Sequence, residues 1–273
     1  MGLFCRIALP AAPPLTESPT LVYQAGRSTE EKRALTYCLG IKVRDGLIGL
    51  ADGRITSGTQ LTSARKVTLH GPNGSQFFIM TSGLRSLRDK AIAYLERDRR
   101  AAAVPYATML DAVGAYTQCL RRVIDEDRAA LDHSHIAFNL HAIIGGQLVQ
   151  DEEPTMFLVY PECNWIQVDE RTPYLSIGVT GYGKPILDRA LHYDTPLRTA
   201  LKLAYLSFDS TRLSSSDVGF PLDLVTYHVS DRRWRDRQFD DYDLREQGLW
   251  WNEHLTQLAN AMPDGDWLEG LLT

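Results

Sequence analysis

The chain contains no apolar run long enough to form a membrane helix, and its four cysteines (Cys5, Cys38, Cys119, Cys163) include no pair at CxxC spacing. A membrane span, a redox dithiol and a thiolate metal site are thereby disfavoured. The cysteines read instead as reduced thiols of a cytoplasmic protein, with Cys38 and Cys119 buried. Charge of one sign is also lacking. The formal net charge of −5 over 273 residues gives no reason to expect a nucleic-acid or membrane surface. Met1–Pro14 holds one Arg and a short apolar patch, which is too little for a signal peptide. No internal repeat divides the sequence. With 44% hydrophobic and 23% charged residues, what remains is an ordinary globular composition with enough length for a sizeable core.

The most informative segment present is Thr36–Val43 followed by Asp45-Gly46 and Leu47–Asp52. Tyr37, Leu39, Ile41 and Val43 alternate with Thr36, Cys38, Gly40 and Lys42, the period of a strand with one face in a core. Asp45-Gly46 is expected to supply the positive φ of a tight reversal. Leu47–Ala51 is apolar on both faces, as in a central strand. Folding about Arg44–Gly46 sets Thr36 opposite residues 52–54 and makes Asp52 its predicted neighbour.

Residues 1–35 carry four prolines and a charged run, Gly26–Arg33, and read as a disordered or loosely attached leader before one domain over residues 36–273. Strands are expected at Lys66–His70 and Gln76–Thr81, then helices at Leu84–Ala102 and Thr108–Leu131. Further strands follow at Ile136–Ile144, Gln147–Gln150, Met156–Tyr160, Trp165–Val168 and Tyr174–Val179, with Gly145-Gly146 as a hairpin turn. Two helices fit Pro185–His192 and Pro196–Phe208. Leu224–Val229 reads as a strand, and about Leu244–Ala261 as a terminal helix. Runs of strands separated by paired helices point to an α+β fold. Ten strands suffice for two stacked, mostly antiparallel five-stranded sheets capped by helices.

A threonine hydroxyl needs a base beside it, and the nearest one is its own α-amine, provided that amine is free. A neighbouring cation lowers the amine pKa, and Lys66, paired with Asp52, is the candidate. The backbone amide of Gly83, at the end of a buried strand, could serve as an oxyanion donor. Spacing alone makes this constellation weak, since Thr, Asp and Lys are common residues.

Thr36-Tyr37-Cys38-x-Gly40-Ile41-Lys42, Ala51-Asp52-Gly53-Arg54 and Arg65-Lys66 resemble the start of a proteasome β-type subunit, and most closely the bacterial proteasome-type protease family called Anbu. Phe77–Gly83, Ile144–Gln147, Phe157–Pro161, Ile177-Gly178, Tyr182–Arg189, Asp209-Ser210-Thr211, Ser214 and Val218-Gly219 extend the resemblance in family order over about residues 36–262. It implies an N-terminal nucleophile hydrolase fold, a four-layer αββα sandwich. Thr36 is then the nucleophile, Asp52 and Lys66 its charge partners, and the Gly83 amide part of the oxyanion hole. It further implies that Asp209 and a serine just beyond it hold the threonine amine; Ser214 is the choice, with Ser215 and Ser216 adjacent. The implied partners are peptide or unfolded-protein substrates and further copies of the chain, with no cofactor and no metal.

This sequence departs from the pattern at Leu35. Relatives expose the threonine by removing an initiator methionine, and proteasome precursors cleave after glycine. A start at codon 35, read as leucine when translation is begun upstream, would reconcile them. Gly53, Ile55, Val179, Gly181 and Cys163 also differ from the residues expected near the substrate cleft.

Other motifs carry less. His133, His135 and His141 share strand parity, yet a strand surface explains them better than a metal. Gly181-x-Gly183-Lys184 lacks P-loop spacing and fits a turn opening a helix with Pro185 at the first helical position. Arg232–Arg237 lies among aspartates and reads as a salt-bridged or subunit-contact surface. Trp250-Trp251 on the terminal helix fits ordinary core, and an exposed tryptophan there would instead mark an assembly interface. Two functions compete: a threonine-type peptidase or amidohydrolase, and a proteasome-like scaffold or assembly protein that has lost its chemistry.

Overall fold

The computed structural model of the protein describes residues 36–57, 60–102 and 105–272, so the leader expected over residues 1–35 lies outside the described residues. The hairpin forms as the alternation requires: β1 (Tyr37–Val43) pairs antiparallel with β2 (Gly46–Asp52), Cys38 opposite Ala51 and Val43 opposite Gly46. The register, carried two residues further, sets Thr36 opposite Gly53.

The strand at Tyr174–Gly178 (β10) covers the outer side of β1. Beyond β2 lie Leu222–His228 (β11) and Arg233–Phe239 (β12), giving a first sheet in the order β10-β1-β2-β11-β12. The second sheet runs in sequence order through β5 (Val67–His70), β6 (Phe77–Gly83), β7 (Leu140–Gly146), β8 (Thr155–Val159) and β9 (Trp165–Gln167). All these pairings are antiparallel. A small hairpin, β3 (Arg54–Ser57) with β4 (Gln60–Ser63), stands apart.

Side-chain parity sorts the strands into three cores. Tyr37, Leu39, Ile41, Ile48 and Leu50 pack outward against α3 (Lys184–Ala190) and α4 (Leu197–Ser214). Cys38, Leu47 and Ala51 face inward and meet Phe78, Met80 and Met156 of the second sheet. Phe77, Ile79, Leu140 and Ile144 turn to the other side, against α1 (Arg85–Ala101) and α2 (Met109–His133). The result is a four-layer αββα sandwich. Thr108 fixes the entry to α2 by a capping box with Asp111.

Several expectations need correction. Gly145-Gly146 is no turn but the end of β7. A Cβ on Gly145 would lie 2.5 Å from Met156 Cγ, so glycine is there to let the sheets approach. Gln147–Gln150 is not a strand, because the Gln147 side chain is committed to Tyr227 and to the Asp151 and Glu152 carbonyls. Gly46 belongs to β2 and leaves the turn to Arg44-Asp45; a Cβ on it would sit 1.9 Å from the Tyr227 carbonyl oxygen of β11. Sequence reading omitted β3, β4, β12 and α6 (Gly265–Leu272), whose polar or short runs lack a core-facing period. The strand count of the two sheets survived because β12 replaces Gln147–Gln150. The three histidines do not share a strand: His133 ends α2, His135 has φ 54° in the following turn, and His141 lies on β7. Among the described residues, no helix is long and apolar enough to cross a membrane.

Candidate active site

Thr36 enters the first sheet at its β10 side. Its carbonyl accepts the Val179 N–H at 2.8 Å, and Gly178 (φ 91°) passes so close that a Cβ would lie 2.0 Å from that oxygen. Only glycine fits there. The Thr36 side chain, nearly buried, donates from Oγ1 to Asp52 Oδ1 at 2.6 Å.

Three donors converge on that one carboxylate oxygen. Besides Thr36 Oγ1, the Tyr37 N–H lies at 2.8 Å and Lys66 Nζ at 2.8 Å. Lys66 Nζ also donates to the Arg54 carbonyl at 2.8 Å. Asp52 is fully buried and the Lys66 side chain only 8% exposed, so the pair is shielded from water. Burial pushes the Asp52 carboxyl above the ordinary carboxylate range, against the pull of Lys66 and the hydrogen bonds. Burial likewise pushes the Cys38 thiol up to about 12, with Lys66 opposing. That thiol, two residues from Thr36, stays protonated and is a poor nucleophile near neutral pH.

Gly83 closes β6 opposite Leu140, with φ 130° and no room for a Cβ, which would lie 2.1 Å from the Asn139 carbonyl oxygen. Val67 pairs with Met80, so one step further along the ladder Lys66 lies beside Thr81, two residues from Gly83. The structure therefore brings Thr36, Asp52 and Lys66 into contact and sets Gly83 at the same end of the second sheet as Lys66.

Asp209 is placed differently. Buried on α4, it pairs with Arg212 at 2.7 Å, and no hydrogen bond among the described residues joins it to Thr36. Ser214 is the exposed last residue of α4. The loop that follows reaches the site's edge, because Arg54 Nη1 donates to the Ser216 carbonyl at 2.8 Å. Gly219 packs on the same guanidinium, where a Cβ would lie 2.4 Å from its nearest atoms.

Sequence reasoning missed Asp223. It sits in the strand run Leu222-Asp223-Leu224 and is fully buried. A charge inside an apolar strand was the available signal.

A cavity of about 360 Å³ opens beside Lys66, lined by Thr68, His70, Ile79, Thr81, Arg88 and Ile92 among others. His70 shares hydrogen bonds with Thr68 Oγ1 through Nε2 (2.7 Å) and with Glu96 Oε1 through Nδ1 (2.8 Å). Glu96 is also held by Arg99. Burial lowers the His70 pKa, while Glu96 opposes that shift. A histidine held neutral in the fold takes up its proton more readily when unfolded, near its ordinary 6.5. Its contribution to stability is thus complete above that pH and is lost as pH falls from there toward the lowered folded value. The urea midpoint should drop between pH 7.5 and 5.5, and drop less in His70→Gln. An equal drop in both proteins would remove His70 as the cause.

Neither a family model nor a curated protein matches the sequence. Solved structures do. The chain is similar to a subunit of the helical assembly of the Anbu complex from Pseudomonas aeruginosa, with 30% identity, TM-score 0.77, and coverage of 84% of this chain and 97% of that one. It is similar to Anbu (ancestral beta-subunit) from Yersinia bercovieri, with 30% identity, TM-score 0.72, and coverage of 84% and 98%. Anbu from Hyphomicrobium sp. strain MC1 matches at 29% identity and TM-score 0.73, with 85% of this chain and all of that one covered.

Proposed function

The chain belongs to the Anbu family, and from that premise we propose that it is a threonine-type peptidase or amidohydrolase with the Thr36 hydroxyl as nucleophile. The observation that carries this reading is the convergence of Thr36 Oγ1, the Tyr37 N–H and Lys66 Nζ on Asp52 Oδ1.

In the proposed reaction the freed Thr36 amine takes the hydroxyl proton as Oγ1 attacks the substrate carbonyl. Lys66 keeps the amine pKa low and stabilises the developing charge, while Asp52 holds Lys66 in place. The Gly83 N–H receives the oxyanion. Collapse expels the substrate amine with the proton from Thr36, and water then hydrolyses the acyl ester. Asp209 and Ser214, or one of the next two serines, are assigned to holding the amine. The attachment of that loop to Arg54 supports the serine; Asp209 pairs with Arg212 through Oδ1 alone, and its buried Oδ2, without a partner among the described residues, is the oxygen assigned to the amine. Leu35 must be absent from the active chain, whether by a start at that codon or by removal of residues 1–35.

The active form is proposed to be an assembly of copies, as the helical assembly from P. aeruginosa suggests, and its proposed substrates are peptides or unfolded proteins. Helix α5 (Arg245–Asn260) supports this, since Leu249, Trp250, Leu255 and Leu258 are each at least half exposed.

The absence, among the described residues, of a hydrogen bond from Asp209 to Thr36 favours the rival, a silent scaffold. Protein beginning at Thr36, incubated with a β-lactone or epoxyketone, should carry an adduct on Thr36 in its peptide map. No adduct on a demonstrably free amine would decide for the scaffold.

A further inference from the structure

Asp223 is a fully buried carboxylate to which the proposed reaction assigns nothing. A buried charge is retained only where donors surround it. Asp223 shares the inward face of β11 with Val225, and from there it reaches across to the second sheet. Its Oδ2 accepts the main-chain N–H of Lys66 at 3.0 Å. Its Oδ1 accepts from Gln238 Nε2 at 2.8 Å and from Arg65 Nε at 3.5 Å.

Lys66 immediately precedes β5. Two main-chain N–H groups of this segment find acceptors on the side of the first sheet: the Ala64 N–H on the Gly53 carbonyl at 3.0 Å, and the Lys66 N–H on Asp223. Asp52 and Asp223 thus hold Lys66 from its two ends, the ammonium and the backbone.

We infer that Asp223 is a positioning residue for Lys66, fixing the backbone from which the ammonium reaches Asp52. This rests on the reading of Thr36, Asp52 and Lys66 as the catalytic group. Loss of the acceptor lets the backbone at Lys66 shift, and displacement of a reacting group by about 1 Å can lower turnover about 100-fold.

The test compares Asp223→Ala, Asp223→Leu and Asp223→Asn in protein that begins at Thr36, by crystallography and by peptide hydrolysis normalised to covalently titrated sites. The alanine and leucine variants should lose about 100-fold in kcat with little change in KM, and Lys66 Nζ should leave Asp52. Leucine fills the volume if alanine prevents folding. Asparagine keeps an acceptor for the Lys66 N–H, because the Gln238 amide can rotate its oxygen toward the new NH2, so most of kcat should return. A purely structural role would instead lower the titrated fraction in all three and leave kcat per site unchanged. Lys66 Nζ still bonded to Asp52 in the alanine or leucine variant overturns the proposal. If the parent protein does not turn over, the catalytic reading alone fails, and the crystallographic position of Lys66 decides the role of Asp223.

Discussion

Protein whose first residue is Thr36 should hydrolyse peptides, and protein that keeps Leu35 bonded to the Thr36 nitrogen should be at background. An amide nitrogen cannot accept the hydroxyl proton, and removing a positioned general base lowers rates by about 10²–10⁴-fold. The Thr36 hydroxyl donates to Asp52 Oδ1, an oxygen that also accepts from Lys66 and the Tyr37 N–H and is assigned to holding Lys66. Cys38 is held as a thiol. The measurement is kcat/KM for matched proteins that differ only in the residues before Thr36, each verified by intact mass, with Thr36→Ala as baseline. Equal activity with Leu35 attached would overturn the amine as base. Activity surviving in Thr36→Ala would overturn the nucleophile.

Lys66→Ala should damage both stability and turnover. It leaves the Asp52 carboxylate, with no exposure to water, deprived of its cation. Breaking a buried pair from one side costs about 3–5 kcal/mol, which in a domain of this size lowers Tm by roughly 10 °C. In the proposed mechanism the same change also removes the cation that would depress the Thr36 amine pKa. Adding Asp52→Asn to Lys66→Ala should recover part of the lost stability, since a buried amide needs no counterion, while leaving activity at background. Thermal unfolding of the three proteins checks this. An unchanged Tm in Lys66→Ala would show that the pair is not desolvated as its burial implies.

The two expectations differ in how they could be reached from the sequence. Thr36 and Asp52 are joined by a local hairpin, and strand alternation with the Arg44–Gly46 reversal sets their register. Lys66 lies on the other sheet. Nothing in its neighbourhood required the ammonium to cross to Asp52; family motifs supplied that expectation, and packing of the two sheets made the contact.

Glycines show the same division. Gly46 and Gly145-Gly146 were legible as special positions but not for the right reason. They permit close approach of β11, Met156 and Phe78, and such approach depends on strands distant in sequence. β12 was hidden because its charged run, Arg235-Asp236-Arg237, belongs to an edge strand of which only Trp234 and Phe239 are partly buried, held by its ladder to β11. Asp223 was illegible as a role, since a lone aspartate does not state which donors will surround it, whereas the Asp209–Arg212 pair follows from i,i+3 spacing on α4.

By itself, then, the sequence determined helices α1 to α5 and most core strands, the Thr36–Asp52 hairpin and the absence of a long apolar span, because these follow from local periodicity and turn chemistry. The tertiary structure alone decided what Lys66 touches and which carboxylate holds its backbone. The second of these contacts joins residues 157 positions apart, where only packing sets the distance.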